Sequence, residues 1–380
     1  MDEKALDAML ARARSKEEKV SLLDQTGGEL FEKGKYEEAA RCFSRALRMA
    51  GQINARAYFA GQAGICSYNA KKDQKAMTLL LKAAELFDPD LPEFMPDMYG
   101  FVHFYLGSLF EYQGRHAKSL EARRICEQYI EDQEKDTRWM LFAGISRNYE
   151  ALGKHDEALK YTHKAIEVLS NNDPGLSYLY ESMGNNYMGL KQYQEAIKNY
   201  SKVIELDPNF ERKDEIYLKL ANCHLQLTND RMALDSYRKI LELKQITGKP
   251  QDLIWLYCKV ALCHFRLKEY EKSLLVTLEA MRRNPRKVSE RAEIRSYLTD
   301  NYCELGRFRE AVLEGEKTLR LARRFPNDQH FYVRMALSYF KLGDMKNFGK
   351  YRALCRKLFH DESWDSYLAK LGATAPGSDA

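Results

Sequence analysis

The sequence predicts an all-α protein, an α-solenoid of about nine stacked helix pairs with a closing helix at its C-terminal end. Three observations support this fold class. A motif of small residues recurs every 37 to 43 residues along most of the 380-residue chain. Within each recurrence the apolar residues have helical spacing. Glycine and proline number only 21 and 9, which favours long helices over the many turns of a β-sandwich.

The recurring motif is a pair of small residues twelve positions apart. We call the first member of each pair the anchor; it is predicted to lie in the first of two helices, and the second member in the second helix. Nine pairs align along the chain, and only in the last does a large residue, Phe348, take the second place: Gly27/Ala39, Gly64/Ala76, Gly107/Ser119, Ser146/Ala158, Gly184/Ala196, Ala221/Ala233, Ala261/Ser273, Thr299/Ala311 and Ala336/Phe348. We number the corresponding repeats one to nine.

The residues of one repeat predict an antiparallel helix pair. The small anchor lets the second helix come close, and glycine often follows seven positions later, as at Gly34 and Gly114, where it ends the first helix in the left-handed conformation. Acidic residues such as Asp156 and Glu157 begin the second helix, because the positive end of the helix dipole favours them. Neither helix can bury its apolar stripe alone, so successive pairs must stack.

The ends of the chain and one connector differ from the regular repeats. We expect an N-terminal helix over residues 1–19, the solenoid over 20–358, a capping helix over 359–372 and a flexible tail over 373–380. Residues 88–97 contain three prolines, which predict an extended connector and account for the longest interval between anchors.

Composition and motifs exclude several classes of protein. No run of about 18 apolar residues exists, so no membrane-spanning helix is expected, and the N-terminus lacks the apolar core of a signal peptide. We therefore expect a cytoplasmic protein. Cys66, Cys223 and Cys263 recur at one repeat position, which indicates reduced thiols in packing positions. The sequence has no phosphate-loop, zinc-protease or nucleophile-elbow motif, so we expect no catalytic, metal or cofactor site, and no enzyme.

The repeat resembles the tetratricopeptide repeat family, and residues 180–208 carry the resemblance best. This segment has the family's typical residues Gly184, Tyr187, Ala196, Tyr200 and Pro208. The resemblance extends over about 20–358 and implies a right-handed superhelix whose first helices line a concave groove. It also implies that a protein partner binds in this groove.

The chain departs from the family in two respects. Most repeats are longer than the usual 34 residues. Arg123, Gly315 and Arg352 stand where a large apolar residue of the second helix is usual, sixteen positions after the anchors of repeats three, eight and nine. The resemblance is therefore specific for the fold and says little about the partner.

Six positions around each anchor contact ligands in the resembling family. Transferring these positions gives the predicted groove residues Tyr58, Tyr68, Phe101, Phe104, Tyr105, Tyr112, Arg147, Tyr178, Asn185, Asn222, Trp255 and Lys259. Six are aromatic residues of repeats two and three, and large rings with few rotors are typical of peptide-binding hot spots. The alternative for these rings is packing between helices. The two asparagine amides can donate to and accept from a bound peptide backbone.

One binding mode of the family is not expected here. The clamp that holds chaperone C-termini needs a lysine three positions before the anchor, where repeats five and six have Glu181 and Leu218. The charge distribution leaves another possibility open. Residues 249–372 have a net charge of +9 and residues 1–248 a net charge of −3. The basic half fits an acidic partner or nucleic acid, or equally helix ends whose dipoles favour Arg and Lys.

The sequence thus leads to one main hypothesis and two alternatives. The main one is a non-catalytic scaffold or adaptor that binds a peptide or helix of a partner protein in its concave groove. The first alternative is a peptide-sensing regulator that changes its superhelical shape when ligand binds. The second is binding of nucleic acid or an acidic partner through the basic C-terminal half, which a steep salt dependence would reveal. We expect a protein partner rather than nucleic acid, and self-association stays open.

Overall fold

The computed structural model describes residues 3–130, 135–170, 173–247, 253–321, 329–358 and 363–370. These six segments contain twenty α-helices and no strand, so the predicted all-α class is confirmed. Among the described helices, none combines the length and hydropathy needed to cross a membrane.

The chain forms two compact blocks, Met1–Pro208 and Asn209–Ala380, which we call the N-terminal and C-terminal blocks. The helices of the N-terminal block are α1 Glu3–Arg12, α2 Lys16–Glu32, α3 Tyr36–Met49, α4 Ile53–Asn69, α5 Asp73–Leu86, α6 Pro96–Tyr112, α7 His116–Tyr129, α8 Lys135–Ala151, α9 His155–Val168, α10 Gly175–Gly189 and α11 Tyr193–Leu206. Those of the C-terminal block are α12 Lys213–Gln226, α13 Asp230–Thr247, α14 Ile254–Arg266, α15 Tyr270–Arg282, α16 Val288–Glu304, α17 Phe308–Leu321, α18 Gln329–Lys341, α19 Met345–Leu358 and α20 Ser363–Lys370.

Each predicted repeat is one helix pair. Repeat one consists of α2 and α3, repeat two of α4 and α5, and the series continues in order to repeat nine, which consists of α18 and α19. Within each block the two helices of a pair pack on each other, and the second helix then packs on the next pair. This is the nearest-neighbour stacking that buries a continuous core in a repeat protein.

The anchors are small because the two helices of a repeat touch there. A Cβ atom on Gly184 would lie 2.5 Å from the Tyr200 ring, a separation that atoms do not tolerate. Where the second member of the pair is serine, its hydroxyl donates to the anchor carbonyl, as from Ser119 to Gly107 at 2.6 Å. The spacing of twelve residues therefore marks the contact line between the helices.

The turn within each repeat has a left-handed residue seven positions after the anchor. Five repeats have glycine there, with φ between 71° and 77°. In repeats two, five, six and seven the residue is Lys71, Lys191, Thr228 or Lys268, with φ between 57° and 60°. The predicted glycine termination is confirmed, and these four side chains adopt a backbone conformation that L-residues disfavour.

The proline-rich connector is folded rather than extended. Its chain turns at Asp88 and Leu91, whose carbonyls accept hydrogen bonds from Leu91 and Phe94 at 3.3 and 3.0 Å. The Asn54 side chain pairs with the Asp88 backbone through two hydrogen bonds of 2.9 and 3.3 Å. The prolines prevent a helix before Pro96, which is the first residue of α6. The ring contact between Phe87 and Phe94 and the two Asn54 hydrogen bonds keep the segment compact.

Helices also lie at both ends of the chain. Ser15 separates α1 from α2 and accepts a hydrogen bond from the Glu18 backbone at 3.1 Å, a capping interaction that begins α2. At the other end, Trp364 and Leu368 of α20 are buried against the core of repeat nine. Arg352 makes two hydrogen bonds of 2.9 and 3.0 Å to Asp365, which fastens α20 to α19. The predicted tail over 373–380 lies outside the described residues.

Candidate functional site

Three aromatic residues of the predicted groove follow one face of α6. Phe101, Tyr105 and Tyr112 are separated by four and seven positions, which places them on the same side of the helix. We call these three residues the aromatic stripe. Phe101 and Tyr105 are partly buried, whereas 81% of Tyr112 is exposed. The stripe therefore ends in an accessible ring at the C-terminal end of α6.

Other rings of the predicted groove lie between first helices. Tyr68 on α4 meets Tyr105 edge-to-face with ring centroids 5.1 Å apart, and Phe104 meets Tyr105 at 5.4 Å. The Tyr58 hydroxyl donates to Asp24 Oδ1 on α2 at 3.2 Å. Burial and the Asp24 carboxylate raise the pKa of Tyr58 to about 12. These rings join neighbouring repeats, and only part of each one is accessible.

The two asparagines are each held by a tyrosine of the second helix. The buried Tyr200 hydroxyl donates to Asn185 Oδ1 at 2.9 Å, and Tyr237 donates to Asn222 Oδ1 at 3.4 Å. Each tyrosine lies sixteen positions after the anchor and each asparagine one position after it. Because the hydroxyl engages the oxygen, it orients the amide so that Nδ2 is the group left to donate.

Tyr178 lies near the N-terminal end of α10 and is 51% exposed.

In the C-terminal block, Trp255 and Lys259 lie one turn apart on α14. The Trp255 side chain is 40% exposed and Lys259 is partly buried, while Asn222 on α12 is exposed. Both α14 residues occupy the positions that the family resemblance assigns to the groove. The aromatic stripe belongs to the N-terminal block.

A charged cluster lies beside the aromatic stripe. Glu111 Oε2 accepts a hydrogen bond from Arg123 Nη2 of α7 at 2.5 Å, and Glu111 Oε1 accepts one from Arg147 Nε of α8 at 2.7 Å. Arg123 is only 2% exposed, Glu111 20% and Arg147 53%. One carboxylate thus joins two guanidinium groups from two successive repeats. We call these three residues the arginine cluster.

Two glycines make room for the buried guanidinium. A Cβ on Gly144 of α8 would lie 0.9 Å from Arg123 Nη1, and one on Gly107 would lie 2.7 Å from Arg123 Cγ. Arg123 occupies the slot that Tyr200 fills in repeat five, where the side-chain end also reaches the residue after the anchor. The sequence predicts Arg147 as a groove residue and shows Arg123 as a departure from the repeat, but the contact between them through Glu111 could not be predicted from the spacing alone. The signal in the sequence that could have revealed this contact is the charge of Arg123 at a usually apolar position, together with a glycine, Gly144, in the next repeat.

The cysteines have the packing role that the sequence predicts. All eight lie in the described segments, are buried and form no disulfide there. Burial raises the pKa of the Cys66, Cys126 and Cys355 thiols to about 12, which keeps them protonated. Over the described ranges, no group of three or more His, Cys, Asp or Glu side chains could hold a metal ion.

Basic residues of the C-terminal block have acidic neighbours. Arg282 and Arg283 approach Glu279 at 3.7 and 3.3 Å, and Lys287 approaches Glu290 at 3.2 Å. Both arginines end or follow α15, where the helix dipole favours cations. The positions of Arg282 and Arg283 fit the interpretation of their charge as helix-end stabilisation.

Comparisons with known proteins agree on the repeat and the fold. Family models described as "Tetratricopeptide repeat" match residues 27–90, 177–210 and 214–247. These matches fall on the helix pairs of repeats one and two, five and six. No curated protein matches the chain.

Solved structures resemble the chain at low sequence identity. The apo form of RapI is 12% identical, with 94% of this chain and 99% of that chain covered and a TM-score of 0.53. The C-terminal part of a TPR repeat-containing protein from Cytophaga hutchinsonii is 17% identical, with coverages of 79% and 96% and a TM-score of 0.46. A tetratricopeptide repeat protein from Parabacteroides merdae is 15% identical, with coverages of 74% and 98% and a TM-score of 0.43. RapI supports the helical-repeat fold and nothing beyond it.

The family matches, the helix pairs and the anchor contacts describe the same repeating unit. The small anchor, the left-handed turn residue and the second helix recur nine times in the described residues. The chain is a tetratricopeptide repeat protein.

Proposed function

We propose that the protein is a non-catalytic scaffold or adaptor that binds a peptide or helix of a partner protein along the first helices of its N-terminal block. Tetratricopeptide repeats generally act as protein–protein interaction scaffolds. The observation that carries the proposal is the aromatic stripe, which ends in a tyrosine with 81% exposure. A row of aromatic side chains that runs from partly buried rings to an exposed tyrosine suits a binding hot spot, because tyrosine offers a large contact area with few rotatable bonds and a hydroxyl that can pair with the partner.

The packing of the stripe suits a hot spot. Tyr105 is fixed by Tyr68 and Phe104, so a ligand meets rings that are already ordered and loses little side-chain entropy. Exposed Tyr178 on α10 extends the accessible aromatic area within the same block. Oriented amides such as Asn185 supply donors for a peptide backbone. The partner is therefore a segment with apolar side chains and an accessible backbone.

The test uses the exposed rings, because truncating the packed ones would damage the fold. Peptides are selected by display against the wild-type protein, and their Kd is compared with that of a Tyr112→Ser/Tyr178→Ser variant. Loss of a hot-spot ring costs about 2 kcal/mol or more, so the Kd should rise at least thirtyfold. The control is Leu81→Ser, which removes a 39% exposed apolar side chain from the second helix α5 and should change the Kd less than twofold.

The other outcomes are equally informative. Unchanged Kd values in the double variant would place the binding surface elsewhere and contradict the proposal. Binding whose Kd rises steeply with salt, for nucleic acid rather than peptide, would favour the basic C-terminal half instead. Compaction of the protein in solution scattering when peptide binds would favour the sensor over a rigid scaffold.

A further inference from the structure

The slot sixteen positions after the anchor holds a charged side chain in two of the nine described repeats, the third and the last. The side chains in this slot are Phe43, Leu80, Arg123, Thr162, Tyr200, Tyr237, Thr277, Gly315 and Arg352. Arg352 is explained by its pairing with Asp365 of the closing helix α20. Arg123 belongs to an internal repeat, where packing alone would favour a neutral side chain.

Burying Arg123 is costly and needs a counter-charge. Its side chain is 2% exposed, and moving a charged group of this kind from water to the interior costs several kcal/mol. Glu111 supplies the carboxylate, and Ser108 Oγ lies 3.5 Å from Nη2. A single arginine with this single carboxylate would already be a neutral pair.

The cluster contains a second arginine on the same carboxylate. Arg147 donates from Nε to Glu111 Oε1, which leaves the cluster with two positive charges and one negative charge. Burial lowers the pKa of Arg123 to about 10; the Glu111 carboxylate opposes this shift, and the nearby Arg147 charge adds to it. The two guanidinium groups therefore repel each other across one shared anion.

The outer arginine has donors to spare. Among the described residues, Arg147 makes one side-chain hydrogen bond, from Nε, although its guanidinium carries five N–H groups. Its side chain is 53% exposed at the position directly after the anchor of repeat four. A planar fork held by one bond and backed by a buried positive charge is suited to bidentate binding of an oxyanion.

We propose that the arginine cluster is an oxyanion subsite of the peptide-binding surface, in which Arg147 binds a carboxylate or phosphoryl group of the ligand. Glu111 holds the Arg147 fork in place, and Arg123 supplies the buried positive charge that keeps the subsite cationic. The anion would balance the cluster's net charge of one. This inference rests on the proposed function, because it adds an acidic group to the peptide bound at the aromatic stripe.

The experiment compares peptides that differ only in one group. A sequence selected by display on the wild-type protein is made with glutamate, phosphoserine or glutamine at one central position, acetylated and amidated. A fourth peptide has glutamine and a free C-terminal carboxylate. The Kd of each is measured for the wild type, for Arg147→Gln and for Arg48→Gln, which removes an exposed arginine from the second helix α3.

The expected result is a preference that depends on Arg147. At least one anionic peptide should bind the wild type ten times more tightly than the neutral one. The preference should fall below twofold in Arg147→Gln and persist in Arg48→Gln. The anionic peptide that binds more tightly than the neutral one identifies the anion as a side-chain carboxylate, a C-terminal carboxylate or a phosphoryl group.

Three results would overturn the inference, and each has a different meaning. If neutral and anionic peptides bind the wild type equally while the Tyr112→Ser/Tyr178→Ser variant still binds them more weakly, the groove function holds and the oxyanion subsite does not exist. If no peptide binds, or if substitution of the tyrosines and of Arg147 leaves every Kd unchanged, the proposed function and the subsite are both wrong. A preference that survives in Arg147→Gln also assigns the anion to another site.

Discussion

Replacing Glu111 should destabilise the protein far more than replacing the arginine buried beneath it. Glu111→Gln leaves the Arg123 guanidinium at 2% exposure without a carboxylate, and an uncompensated buried charge costs about 3–5 kcal/mol. The glutamine oxygen still accepts a hydrogen bond, worth about 1 kcal/mol, so we expect a loss of about 3 kcal/mol. Ser108, 3.5 Å away, is too distant to replace the carboxylate.

Arg123→Leu should be nearly neutral by comparison. Leucine fits this slot in repeat two, where Leu80 packs against Gly64 as Arg123 packs against Gly107. The substitution removes the buried charge together with its desolvation cost, so we expect a change within about 1 kcal/mol. The double variant should then resemble Arg123→Leu, which gives a coupling energy of about 3 kcal/mol between Glu111 and Arg123.

The assay must report local stability, because a repeat protein of two blocks does not unfold in one step. Hydrogen exchange of fragments from α6, α7 and α8, measured by mass spectrometry, gives the free energy of local opening. A loss of 3 kcal/mol accelerates exchange by about two powers of ten, since 1.4 kcal/mol is a factor of ten. If Arg123→Leu accelerates exchange as much as Glu111→Gln, the buried pair is net stabilising and this reasoning is wrong.

Three further predictions concern other parts of the chain. Burial lowers the pKa of His103 from 6.5 to about 4, so the unfolded state binds the proton more readily than the folded state. The free energy of unfolding should therefore fall by up to about 3 kcal/mol as the pH drops from 6.5 to 4. Lys191→Gly should stabilise the turn between α10 and α11 by about 0.5–1 kcal/mol, seen as slower hydrogen exchange of these helices, because the φ of 60° at this position suits glycine. Arg352→Gln should loosen α20 by about 1 kcal/mol, seen as faster exchange of Ser363–Lys370 through loss of the Asp365 pair.

Each of these predictions has a matched control. His103→Leu should flatten the pH dependence, and an unchanged slope would show that another group causes it. Gly153→Ala should destabilise although no atom lies within 4 Å of the added Cβ, so an absence of effect would contradict the backbone argument. Asp365→Asn should loosen α20 as Arg352→Gln does; equal protection in both variants and in the wild type would assign the docking of α20 to Trp364 and Leu368 alone.

The repeat could be read from the sequence because its causes are local. The anchor at Gly184 is small since Tyr200 lies against it, and the turn residue seven positions later needs a left-handed backbone. Both requirements recur with a fixed spacing, so nine copies reinforce one another in a single sequence. The connector after Asp88 was predicted as extended and is folded, because the Asn54 side chain that compacts it comes from 34 residues away.

The candidate site depends on contacts that spacing does not reveal. Phe104 and Tyr112 are both predicted groove residues of the same helix. Phe104 packs against the core formed with α7 and α8, whereas Tyr112 is almost fully exposed, because neighbouring helices cover only part of α6. In the sequence, Arg123 is an unexplained charge at a position where apolar residues are usual. In the structure, Gly144 and Arg147 of the next repeat lie beside it.

The sequence by itself therefore determined the helix pairs, their number and their turns, since these follow from interactions within one repeat. Only the tertiary structure decided which side chains of the first helices remain accessible and which charges meet. The physical reason is that burial and ion pairing here arise between repeats, where residues such as Glu111 and Arg147, 36 positions apart, come within hydrogen-bond distance.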